Sequence, residues 1–162
     1  MKTLYFLRHA KSSWADSGPD HSRPLKDRGR LDALTMSRYV AAQYKAPELV
    51  LNSDATRAMQ TGVYFHQSFG LKPDQVKVMH QMYDFSGEQV MALIKDLPPN
   101  VSRVLLVGHN HAFTALVNML GDQAIDNLPT CGFVQINFSV DLWQNVRKGQ
   151  IINKVYPKDF TS

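Results

Sequence analysis

Apolar residues fall into two spacings along this chain, and the alternation between them predicts strands separated by helices. Leu4-Tyr5-Phe6-Leu7 is a continuous apolar run, too short for a helix, and it ends abruptly in Arg8-His9. Such a run reads as a buried strand that delivers two polar side chains to a loop at its C-terminal end. From Pro24-Leu25 onward, Leu25, Gly29, Ala33, Met36, Val40 and Tyr44 recur at steps of three and four, the stripe of a core-facing helix that Pro47 closes. Glu48-Leu49-Val50-Leu51-Asn52 then predicts a second strand, and a strand-helix-strand unit of this kind favours a parallel pair.

The alternation continues to the end of the chain. Ser53 or Asp54 stands where a helix N-cap is expected, which sets Arg57 in the first turn, beside backbone N–H groups that favour an anion. Gln75 to His80 has the composition of a short strand, and a turn runs through Tyr83-Asp84-Phe85-Ser86-Gly87. Val90, Leu93, Ile94 and Leu97 mark one face of a helix stopped by Pro98-Pro99. Val104-Leu105-Leu106-Val107 is a strand that Gly108-His109-Asn110 ends, with Asn110 capping a helix that turns Phe113, Leu116, Val117 and Leu120 inward. Gly121 to Pro129 reads as a loop. Phe133 to Val140 and Gln150 to Tyr156 are strands of an antiparallel edge, joined by a connection over Asp141 to Gly149 that contains Trp143.

Three strand ends therefore carry Arg8-His9, Arg57 and His109, and in an open α/β sheet the C-terminal edge is where ligands bind. A neutral imidazole is a good nucleophile at physiological pH, and a guanidinium grips phosphate oxygens in a fixed fork, so the set suits phosphoryl chemistry. Each residue taken singly has a plainer explanation: a structural histidine at a strand end, an exposed arginine on a helix. The polar stretch Ala10 to Arg23 follows His9 directly and is either a cover for the site or an ordinary crossover.

Composition narrows the class. With 162 residues and 44% hydrophobic content the chain fits one domain spanning 1–162, and no linker, low-complexity segment or internal repeat divides it. The net charge of +4 is dispersed, without the basic run or aromatic motif that nucleic-acid binding calls for, so it fits a small anion pocket or an ordinary surface. Cys131 is the only cysteine, which excludes an internal disulfide and a cysteine-based zinc site and points to a small buried apolar residue. No apolar run is long enough to span a bilayer and no secretory leader is evident, so the expected setting is cytoplasmic, away from membranes.

The spacing of Leu7-Arg8-His9-Ala10-Lys11-Ser12, Arg23-Pro24-Leu25 with Arg28-Gly29, Ser53 through Thr61, Gly108-His109-Asn110 and Pro129-Thr130-Cys131-Gly132 resembles the histidine phosphatase superfamily. The likeness is nearest to its small phosphohistidine phosphatases of the SixA type, and the matching stretches cover nearly the whole chain. The resemblance implies a three-layer α/β/α sandwich with a central, mostly parallel, phosphoglycerate mutase-like sheet. It implies that His9 takes the phosphoryl group while Arg8, Arg57 and His109 surround its oxygens, with no cofactor and no metal. Lys11 and Ser12 are candidates for holding phosphate from the loop after His9, a solvated loop being the other reading. The partners it implies are a phosphohistidine-bearing protein, such as a phosphotransfer protein, or a small phosphate compound, with inorganic phosphate able to occupy the pocket.

One departure bears on the leaving group. Many esterases and mutases of the superfamily carry a general-acid carboxylate after the third strand, where this chain aligns Gln81; Asp84 or Glu88 could substitute from the loop, or lie on the surface. His21, His66, His80 and His111 match no catalytic position, and His109 with His111 makes poor metal-ligand geometry without a carboxylate cluster. The rivals are a phosphatase of small phosphate esters, a mutase, for which the chain lacks the usual insertions, and a phosphoprotein-binding module that has lost turnover.

Overall fold

The computed structural model describes residues 1–15 and 18–161. Asp16 and Ser17, within the expected loop Ala10 to Arg23, and the C-terminal Ser162 lie outside the described residues. Among the described residues six strands form one sheet: β1 (Lys2–Arg8), β2 (Leu49–Ser53), β3 (Val76–Met79), β4 (Arg103–Gly108), β5 (Phe133–Phe138) and β6 (Gln150–Val155), in the order β3-β2-β4-β1-β5-β6. β3, β2, β4 and β1 pair in parallel, whereas β5 runs antiparallel to both β1 and β6. The antiparallel edge expected at the end of the chain is therefore present.

Four α-helices among the described residues cover the sheet: α1 (Asp27–Gln43), α2 (Thr56–Phe69), α3 (Glu88–Lys95) and α4 (Ala112–Leu120). Because side chains alternate along a strand, β1 sends Leu4 and Phe6 into one core and Tyr5 and Leu7 into the other. The first core packs against α3 and α4 and takes in Trp143. The second packs against α1 and α2. Central strands buried on both faces read as continuous apolar runs, which is why β1 and β4 stand out in the sequence. Each of these side chains contributes about 1.5–3 kcal/mol by leaving water, and together they make the three layers that the resemblance implied.

Local chemistry moved several boundaries. Helix α1 begins at Asp27 rather than at Pro24-Leu25, because Leu25 pairs with Ser12 in a single antiparallel bridge, with Ser13 N–H donating to Pro24 O and Lys26 N–H to Lys11 O. Gly29 of α1 has no room for a side chain, since a Cβ there would lie 2.1 Å from the Lys11 carbonyl oxygen. Helix α2 starts after Ala55, not on a side-chain cap from Ser53 or Asp54: Ser53 Oγ accepts the Ala55 N–H at 3.2 Å, and Asp54 faces two histidines instead. Asn110 does act at the start of α4, its Oδ1 accepting the Thr114 N–H at 3.2 Å. β5 stops at Phe138, two residues short of Val140.

Candidate functional site

Backbone pairing fixes where the site residues emerge. Arg8 lies opposite Gly108 in the β1–β4 register, and the His9 N–H donates to Gly108 O at 3.1 Å, so His9 and His109 leave adjacent strands in step. The turn Pro129-Thr130-Cys131-Gly132 clamps the same dipeptide. Cys131 N–H donates to both Arg8 O and His9 O, and Arg8 N–H donates to Gly132 O. Cys131 is buried as expected and adopts a positive φ of 58° in making this turn. From the other side, Thr61 Oγ1 accepts the Ala10 N–H at 2.9 Å and donates to Arg57 O at 2.8 Å, tying the His9 loop to α2.

These supports bring His9, Arg8, Arg57 and His109 together. His9 Nδ1 lies 2.7 Å from Ala10 O, and Arg57 Nε–H donates to His9 Nε2 at 3.3 Å. A carbonyl can only accept and Arg57 can only donate, so the hydrogen-bond pattern assigns the proton to Nδ1 and leaves the lone pair on Nε2. The His9 and His109 rings stand 5.3 Å apart. Ser53 Oγ, which accepts the Ala55 N–H at 3.2 Å, lies 2.7 Å from His109 Nε2 and ties that ring to the end of β2. His109 Nδ1 is buried with no hydrogen-bond partner among the described residues, as is Arg8 Nε, while Arg8 Nη1 donates to Leu128 O at 2.9 Å. Buried polar groups are rarely left unpaired, and the Arg8 Nε–H, which can only donate, calls for an acceptor.

Burial, reinforced by His109, Arg57 and Arg8, pushes the His9 imidazole down to about 3, against a smaller opposing effect of its bond to Ala10. Burial first and Arg57 second likewise push His109 down to about 3. Both rings are neutral at physiological pH. Their depressed folded values stabilise the fold above the ordinary imidazole value of 6.5, and that contribution is lost as pH falls from there toward about 3, because the unfolded chain takes up protons first. Chemical denaturation between pH 7.5 and 4.5 is expected to show stability falling with pH by up to ~1.4 kcal/mol per unit for each ring, with a shallower slope in His9→Asn. An unchanged slope would show that His9 does not titrate with unfolding.

Sequence reasoning missed the carboxylate that closes this cluster. Asp20, in a 3-10 turn over Asp20–Ser22, accepts from Arg57 Nη2 at 2.9 Å, Arg23 Nε at 3.1 Å and Tyr83 Oη–H at 2.6 Å, and its backbone oxygen accepts from Arg57 Nη1 at 2.7 Å. Partial burial opposes its charge, but the hydrogen bonds from Tyr83, Arg57 and Arg23 prevail and hold its carboxyl well below the usual carboxylate range. An anionic group thus already engages the guanidinium forks. The only trace of this in the sequence is the polarity of the stretch after His9.

The remaining candidates lie apart from the cluster. Ser12 Oγ accepts from Arg23 Nη1 at 2.6 Å, one step removed from Asp20. Lys11 lines a cavity of about 400 Å³ together with Arg28, Asn127, Thr130, Tyr156 and Lys158. Asp84 is buried as a helix support: Oδ1 accepts from Ser86 N–H and Oγ–H, and Oδ2 accepts the Val90 N–H at 3.1 Å. Glu88 opens α3 on the surface. His66 lies half-buried on α2, and burial pushes it down to about 4.

A family model described as the histidine phosphatase superfamily (branch 1) matches residues 4–85. An uncharacterized chloroplastic protein of Arabidopsis thaliana is 30% identical over 152 residues, covering 88% of this chain and 69% of the relative. Among solved structures, the candidate phosphohistidine phosphatase SixA of Agrobacterium tumefaciens superposes with a TM-score of 0.80 at 26% identity, covering 96% of this chain and 99% of that one. A protein histidine phosphatase SixA complexed with tungstate has the same fold, with a TM-score of 0.78 at 20% identity and coverage of 98% and 99%.

Proposed function

The chain belongs to the histidine phosphatase superfamily, and on that premise we propose that it is a phosphatase that hydrolyses phosphohistidine on a protein through a phospho-His9 intermediate. The observation that carries this reading is the buried, neutral His9, whose Nε2 lone pair meets Arg57 at 3.3 Å and whose ring stands 5.3 Å from that of His109. In the first step the Nε2 lone pair forms a bond to phosphorus while the bond from phosphorus to the substrate imidazole breaks, and that ring leaves neutral after taking a proton from water. Water then attacks the phosphoryl group on His9, releasing inorganic phosphate and restoring the imidazole. Arg8, Arg57 and His109 supply fixed donors for the equatorial oxygens. Two guanidiniums beside His9 repel a cation and themselves neutralise the phosphoryl charge, which is the physical ground for expecting activity without a metal. A cytoplasmic phosphohistidine protein is the expected partner, and among the described residues no helix is long and apolar enough to cross a membrane.

The leaving group decides the substrate class. An alkoxide departs poorly without a positioned acid, a device typically worth 10²–10⁴ in rate, whereas an imidazole is protonated readily from water near neutral pH. Asp84 is engaged in supporting α3, and Asp20 is held ionised, so neither is set to donate a proton. Specificity constants on a panel of phosphohistidine, phosphoserine and phosphotyrosine peptides and sugar phosphates, measured without added metal, are expected to favour phosphohistidine over phosphoserine by about 10² or more. Efficient hydrolysis of alkyl phosphates that collapses in Asp84→Asn would instead make the enzyme a small-ester phosphatase with Asp84 as its acid. Tight phosphopeptide binding without phosphate release would make it a binding module.

A further inference from the structure

A second cluster sits at the same sheet edge, outside the phosphoryl pocket. His21 from the Asp20–Ser22 turn, Asp54 from the segment between β2 and α2, and His80 from the 3-10 turn after β3 converge with their ligand atoms within 4.8 Å of one another. The Asp54 carboxylate sits between the imidazoles, Oδ1 at 2.8 Å from His21 Nε2 and Oδ2 at 2.9 Å from His80 Nδ1. The Tyr83 ring meets His21 edge-on at 4.8 Å and fixes its orientation. The three side chains are 39%, 30% and 73% exposed, in the order His21, Asp54, His80, which leaves coordination positions open to water.

We propose that His21, Asp54 and His80 form a binding site for a divalent transition-metal ion, and that the ion fastens the Asp20 segment over the phosphoryl pocket. Two imidazoles and one carboxylate are a borderline donor set suited to Zn²⁺, Co²⁺ or Ni²⁺ and poorly suited to Mg²⁺ or Ca²⁺, which take oxygen ligands. Tetrahedral bonds of about 2.0–2.2 Å set ligand atoms about 3.4 Å apart, so an ion entering between Asp54 and the imidazoles opens their 2.8 and 2.9 Å contacts slightly and replaces the hydrogen bonds there, a small adjustment that rotation of the exposed His80 accommodates. The ligands come from three segments far apart in sequence, so an ion joins the Asp20–Ser22 turn to the ends of β2 and β3. His21 adjoins Asp20, whose carboxylate holds the Arg57 fork, so the bound ion keeps that carboxylate where a phosphoryl group would sit. The metal site stands on its own geometry, whereas its effect on turnover rests on the phosphatase reading above.

The test uses the full-length, untagged protein freed of metal. Calorimetric titration with Zn²⁺ and visible absorption with Co²⁺ are expected to show one site, weakened at least tenfold in His80→Ala and in Asp54→Asn, with no binding of Mg²⁺ at the same concentrations. Zn²⁺ is expected to slow amide hydrogen exchange at Ser22 and Arg23, which are bonded to Pro19 O and Asp20 O, by at least fivefold in the wild type and not in His80→Ala. Without Zn²⁺, His80→Ala turns over phosphohistidine as the wild type does; with Zn²⁺ only the wild type is inhibited. Absence of Zn²⁺ binding at 100 µM, or binding that survives both substitutions within twofold, overturns the site. Zn²⁺ binding that leaves exchange at Ser22 and Arg23 unchanged overturns the fastening. Binding and slowed exchange in a protein that never hydrolyses phosphohistidine sustain the site and its fastening while refuting the phosphatase reading.

Discussion

Replacing His9 with alanine is expected to abolish turnover and covalent capture of phosphate while leaving a folded protein. The ring is buried but belongs to neither apolar cluster, with its Nδ1 bonded to a local carbonyl and its Nε2 to Arg57, so its loss removes the proposed attacking lone pair without opening a large apolar cavity. Loss of a nucleophile that acts in concert with its pocket costs on the order of 10⁴ or more in rate, leaving only what the oxyanion donors contribute. Single-turnover assays with labelled phosphohistidine peptide, followed by acid and alkaline quench, are expected to show an acid-labile, base-stable label on the wild type and none on His9→Ala. Equal loss of activity and of cooperative unfolding would make His9 a structural histidine.

Arg57→Ala is expected to lower kcat/KM by about 10² or more, the scale of removing one pre-organised donor to a developing charge. The effect has two parts. Arg57 Nε engages the nucleophile, and its two Nη groups form the fork that now holds Asp20. On the proposed reading, removing it disorders His9 and discards a donor to the phosphoryl oxygens together, so both kcat and KM are expected to change. Arg57→Lys restores a charge but not the planar fork and is expected to recover little. Unchanged kinetics in Arg57→Ala would take the residue out of the pocket.

Much of this arrangement is legible in the order of the amino acids alone. The continuous apolar runs of β1 and β4 announce buried parallel strands, and residues just beyond the ends of such strands are carried to one edge of the sheet, which is how Arg8, His9, Arg57 and His109 group together. Asp20 and the His21–Asp54–His80 cluster cannot be read that way. Their meeting depends on the path of loops between residues 26 to 59 positions apart, which no periodicity encodes. Asp84 shows the converse: a carboxylate in a suggestive place, whose partners turn out to be the N–H groups that open α3. Leu25 fits the helical stripe by spacing, yet its bridge to Ser12 holds it outside α1.

The in-step register of β1 and β4 makes the separation of two histidines a property of the sheet. The 5.3 Å between the His9 and His109 rings follows from the spacing of neighbouring strands, about 4.8 Å, and not from any loop. Insertions or substitutions in the segments that carry Asp20 and His80 therefore leave His9 and His109 at this separation. The floor of the site and its cover are thus set by different parts of the chain, the one by hydrogen bonds between strands and the other by loops.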